Sequence, residues 1–183
     1  MGNCVLTKDK TGLIVVDVQG KLARLVHDSS NMIANCETLI RGASILELPI
    51  ICLEQNPEKL GPTVSELGFV LQQCPFVTKY TFDACENSEF INLLIDAKVD
   101  NWLLCGIEAH ICVYQTAIGL LLRGYNVQLV TDCISSRKVT NKQLAIQKLI
   151  HRGAEISGVE MCLFELVKDC RASEFREILS LVR

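Results

Sequence analysis

Short apolar runs alternate along the chain with longer stretches in which apolar residues return every third or fourth position. Residues 13–18, LIVVDV, are apolar without a break except at Asp17. Continuous apolarity of this length marks a strand buried on both faces of a parallel sheet. In residues 31–48, Ile33, Cys36, Leu39, Ile40, Ala43 and Leu46 keep helical spacing, and Pro49 closes the segment. A second strand follows at 50–53. Residues 54–67 carry Pro57, Gly61 and Pro62 and read as a loop. A third strand is expected at 75–80 and a helix at 88–98. The stretch 101–105 is a fourth strand, Gly106 permits a turn, and a helical pattern starts at His110 with Ile111, Tyr114, Ile118 and Leu121 on one face. A fifth strand at 125–131, a helix at 138–152, a sixth strand at 154–157 and helices at 160–169 and 173–182 complete the series.

Strand and helix alternate almost throughout. Such alternation requires crossover connections, which build a parallel sheet with helices on both faces. The expected fold is a three-layer α/β/α sandwich, Rossmann-like, with a six-stranded parallel sheet in one domain over residues 1–183.

In such a sheet the carboxyl ends of the strands share one edge, where ligands bind. Three polar residues fall at or just beyond those ends: Asp17, Lys79 and Cys112. Each has a plain alternative, as a turn former, a surface charge and a packed core cysteine respectively. Together they make chemical sense if the first strand neighbours the fourth. Asp17 takes the thiol proton, Lys79 holds carboxylate and thiolate together, and backbone N–H groups before the helix bind an oxyanion. The first helical turn also favours an anion, so a depressed Cys112 pKa is expected. His110 is a rival base, although two residues along a helix point to nearly opposite faces. His27 and His151 have no motif around them.

Composition narrows the classes. At 49% hydrophobic residues the chain can bury a core, which argues against disorder. A net charge of −3, with no basic stripe, gives no support to nucleic-acid binding. No apolar run approaches the roughly 20 residues of a membrane helix, and no signal-peptide core stands at the start. Gly2 and Cys4 suggest acylation, but Leu6 stands where myristoylation wants Ser or Thr. The ten cysteines show no CxxC and no zinc spacing. Cys36, Cys52, Cys105, Cys133 and Cys162 lie in apolar segments and read as small hydrophobes in a reducing, cytoplasmic compartment. GxGxxG and GxxxxGK[ST] are both lacking, so no cofactor and no metal is expected.

Five motifs together resemble the isochorismatase-like cysteine hydrolases, in particular the isochorismatase domain-containing subgroup. They are VVDVQ around Asp17, LEQNPEKLGPT from Leu53, TKYTFDA around Lys79, CGIEAHICV around Cys112 and TDCISSR from Thr131. The resemblance implies a catalytic triad of Asp17, Lys79 and Cys112. It implies a cis peptide at Ile107–Glu108, with the N–H groups of Glu108 and Cys112 at an oxyanion site, and a homo-oligomer. Gln19, Gln55 and Phe82 are candidate substrate contacts, with Asn56 beside them. Gly20 and Lys21 stand where metal-binding members carry a histidine motif, and Leu22 stands where an aromatic is common. The retained Cys112 does not imply the vinyl-ether cleavage of true isochorismatases. The function expected is hydrolysis of a small amide-like C–N substrate through a thioester. The alternatives are a non-catalytic binding or scaffold protein and a redox-sensing thiol protein.

Overall fold

A computed structural model describes residues 5–183; the acylation pattern at Gly2 and Cys4 lies outside them. In chain order the elements are β1 (Thr11–Val16), α1 (Leu22–Leu25), α2 (Ser29–Ile45), β2 (Ile50–Gln55), α3 (Pro57–Leu60), α4 (Ser65–Val70), β3 (Phe76–Lys79) and α5 (Ser88–Ala97). Then come β4 (Asn101–Gly106), α6 (Tyr114–Leu122), β5 (Asn126–Ile134), α7 (Val139–His151), β6 (Glu155–Ser157), α8 (Val159–Val167) and α9 (Phe175–Leu181).

The six strands form one sheet in the order β3-β2-β1-β4-β5-β6, and all neighbouring pairs are parallel. Helices cover both faces, giving the α/β/α sandwich. β1 and β4 lie side by side at the centre, and every residue of both is buried. That is why their sequences are apolar without alternation. The chain winds outward from β1 in one direction and from β4 in the other. Their shared carboxyl end is therefore a topological switch point, the place where such sheets open a crevice.

Odd and even positions of the strands feed two cores. Leu13, Val15 and Cys105 pack with Ile33, Cys36, Leu39 and Ile40 of α2 and Cys162 and Leu163 of α8. Ile14, Val16 and Leu104 pack with Phe90 of α5, Ala117 and Leu120 of α6 and Leu149 of α7. The start of α5 is fixed by Asn87, whose side chain accepts the Phe90 N–H at 3.1 Å.

Two segments differ from the sequence reading. The stretch 54–67 carries α3, which opens with Pro57 in the first turn, and the beginning of α4; proline suits that position because its missing N–H would have no helical partner. β5 extends to Ile134, past the expected end at 131, because the register shifts between Leu104 and Gly106 and lets the longer strand stay paired. Among the described residues no helix is long and apolar enough to cross a membrane.

Candidate active site

Asp17 directly follows β1 and adopts the left-handed conformation, with φ 51°. A non-glycine residue there is uncommon. The turn is held by the Asp17 N–H bonded to Leu53 O at 3.1 Å and by the Gln19 N–H bonded to Asp17 O at 2.8 Å. Lys79 ends β3, two strands away, or about 10 Å across the sheet. Only a long side chain spans that gap. Its ammonium donates to Asp17 Oδ2 at 2.7 Å, to Gln55 Oε1 at 2.7 Å and to Thr81 O at 3.4 Å. Gln55 lies directly opposite Lys79 on the intervening β2. Both charges are out of water, with side-chain exposures of 0% for Lys79 and 2% for Asp17.

Cys112 arrives from the other side of β1. At the end of β4, Gly106 has φ 115°, and a Cβ there would meet Val16 O at 2.0 Å. Glycine lets the chain cross this close to β1, and the Ile107 N–H bonds Val16 O at 2.9 Å. The Ile107–Glu108 peptide bond is cis. A wide π-helical turn, Ala109–Val113, then carries Cys112 and runs straight into α6.

Ionisation is set by this crowding. Burial raises the Asp17 pKa above its usual value, against the pull of Lys79. Burial also pushes the Cys112 thiol up to about 12, helped by the Asp17 charge and opposed by the Lys79 charge. The expected depression of Cys112 is thus corrected. Desolvation outweighs the favourable end of the helix, and Cys112 rests as a thiol. Asp17 Oδ2 is taken by Lys79, whereas Oδ1 is buried without a hydrogen-bond partner. Asp17 and Cys112 lie close enough to act on each other's ionisation.

A pocket of about 100 Å³ opens here, lined by Asp17, Leu22, Gln55, Leu60, Phe82, Ile107, Glu108, Ile111 and Cys112. Four larger hollows, of about 350, 390, 260 and 120 Å³, lie elsewhere and contain none of the three candidate catalytic residues. Gln55 and Phe82 therefore reach the pocket. Gln19 does not: it is fully buried, its Nε2 donates to Gly61 O at 2.7 Å and to Gln55 O at 3.2 Å, and its Oε1 accepts the Gln55 N–H at 2.7 Å. It braces the residue that braces Lys79. The Asn56 N–H bonds Lys79 O at 2.9 Å, outside the pocket lining. His110 is engaged by Ser136 Oγ at 3.0 Å and Asn141 Nδ2 at 3.2 Å and does not line the pocket; His27 and His151 are exposed.

Leu60, Ile111 and Arg137 were given no part in the site by the sequence. Leu60 and Ile111 are ordinary apolar residues with no chemical signature. Arg137 belongs to the TDCISSR motif; its N–H and its guanidinium hold the Glu108 carboxylate at 3.0 to 3.2 Å and so fix the side chain at the cis bond. Among the described residues no cluster of three or more His, Cys, Asp or Glu side chains could hold a metal ion.

The sequence profile of the isochorismatase domain matches residues 11–161. The chain belongs to the isochorismatase family. It is 35% identical over 170 residues to isochorismatase domain-containing protein 2 of Danio rerio, covering 93% of this chain and 85% of that protein. It is 33% identical over 177 residues to the secreted isochorismatase effector Isc1 of Phytophthora sojae, covering 93% of this chain and 83% of that protein. Among solved structures, MAR1 ribonuclease of Caenorhabditis elegans superposes with a TM-score of 0.93 at 34% identity, covering 98% of this chain and 92% of that one. Membership of the isochorismatase family assigns the molecule a hydrolase fold and the domain-containing protein 2 relatives place it near that subgroup.

Proposed function

We propose that this protein is a cysteine hydrolase acting on a small amide-like substrate through a thioester, with Asp17, Lys79 and Cys112 as its triad. The observation that carries the reading is the convergence of a buried ion pair and a thiol from three strand ends on one pocket. The high thiol pKa fits a nucleophile that is deprotonated only as it reacts. Asp17 accepts the Sγ proton while Sγ bonds the substrate carbonyl carbon. Lys79 holds Asp17 in place; once a thiolate forms, the donor now spent on the long 3.4 Å bond to Thr81 O is the one to turn to sulfur. The backbone N–H groups of Glu108 and Cys112 steady the oxyanion. The C–N bond breaks with the proton returned from Asp17 to the leaving nitrogen. Water, deprotonated by Asp17, then attacks the thioester carbon, and the S–C bond breaks to restore the thiol.

The same reading takes the chain as one domain, a homo-oligomer in the cytoplasm, needing no cofactor and binding neither nucleic acid nor membrane. Free buried thiols support a reducing compartment, and exposed apolar side chains such as Leu122 and Phe69 support self-association. A relative named as a ribonuclease favours RNA cleavage as a second reading; the net charge of −3 and the small apolar pocket weigh against it. Steady-state turnover decides. Cys112→Ala should lose at least about 10³-fold in amide turnover, as removal of a covalent nucleophile does. Full turnover in that variant overturns the mechanism, and Cys112-dependent RNA cleavage without amide turnover selects the second reading. A Cys112 that no amide or activated ester acylates leaves the scaffold alternative.

A further inference from the structure

Resting on that reading, we infer that the acyl group this pocket accepts is short, aliphatic and uncharged, of butyryl size or below. Size is the first constraint. The recess in front of Cys112 has a volume of about 100 Å³, less than the roughly 150 Å³ of a cavity that takes up benzene. An aromatic acyl ring therefore does not seat with its carbonyl at Cys112.

Charge is the second constraint. Apart from Asp17, Cys112, Gln55 and Glu108, the wall is Leu22, Leu60, Phe82, Ile107 and Ile111. No cation is left over for a substrate carboxylate. A lysine ammonium has three N–H donors, and those of Lys79 already have Asp17, Gln55 and Thr81 as acceptors. Arg137 is spent on Glu108 and lies outside the lining. A carboxylate on the acyl group would be desolvated against leucine and isoleucine side chains near the charge of Asp17, and an unpaired buried charge is costly. Phe82 is half-exposed at 51% and Glu108 is tied back, so the mouth lies on the Phe82 side and the amine leaves there.

The test is a series of primary amides with ammonia release as the readout: butyramide, hexanamide, benzamide and succinamate. Butyramide should exceed succinamate and benzamide in kcat/KM by at least about tenfold, the scale of one mismatched group in a tight pocket. Ile111→Ala should raise the hexanamide-to-butyramide ratio by about tenfold. Leu60→Ala, in the same apolar wall, provides the same comparison if the first variant does not fold. Cys112-dependent preference for succinamate or benzamide overturns the inference and leaves the hydrolase reading standing. If no amide turns over, p-nitrophenyl esters of the same acids are used to acylate Cys112, read by peptide mass spectrometry. Butyryl labelling in excess supports the inference, benzoyl or succinyl excess overturns it, and no adduct from any ester overturns both it and the hydrolase reading.

Discussion

Cys112 and the thiols on the opposite face of the sheet have different surroundings. On one face Cys36 donates to Cys133 O at 3.2 Å, Cys105 to Ile14 O at 3.7 Å and Cys162 to Val159 O at 3.3 Å, and Cys52 meets the Thr63 hydroxyl at 3.7 Å. All belong to the core layer under α2 and α8. On the other face Cys112 has a carboxylate and an ammonium as neighbours and a pocket in front of it. Burial raises the thiol pKa on both faces: Cys162, like Cys112, is pushed up to about 12, chiefly by burial. Burial therefore does not separate Cys112 from the packed thiols. A base, a cation and an opening do.

The comparison breaks most sharply at Lys79. Lys79→Ala leaves Asp17 buried without its partner and should cost about 3–5 kcal/mol in urea unfolding at neutral pH. That loss should shrink in acid. The Asp17 pKa is already raised above 3.8 by burial, so the ionised carboxylate costs the fold stability above its folded pKa and the cost fades as pH falls through it. An unfolding midpoint unchanged by the substitution at neutral pH would mean the ion pair is not what fills this space.

A smaller effect sharpens the same contrast. Alkylation of Cys112, followed by peptide mass spectrometry, should rise with pH well beyond the ordinary thiol range, because the thiol titrates near 12. Asp17→Asn removes a charge that raises that pKa, so alkylation at fixed pH should speed up. Lys79→Ala removes a charge that lowers it, so alkylation should slow; one pKa unit is about tenfold in thiolate and about 1.4 kcal/mol. Equal rates in all three proteins would sink the electrostatic account. Smallest of all, Cys133→Ala on the opposite face should cost about 1–2 kcal/mol of stability through its small cavity and leave amide turnover unaltered.

The sequence carried the fold well because β1 and β4 are buried on both faces, so their apolarity is unbroken and their ends easy to see. It also put Asp17, Lys79 and Cys112 at strand ends, which the structure brings together. What it hid was set by three-dimensional crowding. The left-handed Asp17 depends on hydrogen bonds to the Leu53 carbonyl and within its own turn. The direction of the Cys112 shift depends on how much water the packed walls exclude, and no helix-end argument supplies that. Gln19 looked like a substrate contact because it follows Asp17 closely, yet its amide faces the backbone of Gln55 and Gly61. Pro57 did hold a legible cue to α3, as a proline suited to a helix start.

Lys79 and Asp17 are 62 residues apart in sequence, and β2 stands between their strands. The ion pair closes only after three strands have docked in register, and Cys112 joins only when β4 has docked on the other side of β1. No local segment of the chain carries the chemistry in part. An unfinished chain displays an ordinary cysteine, an ordinary lysine and an ordinary aspartate, and the proposed chemistry requires both wings of the sheet to be in place.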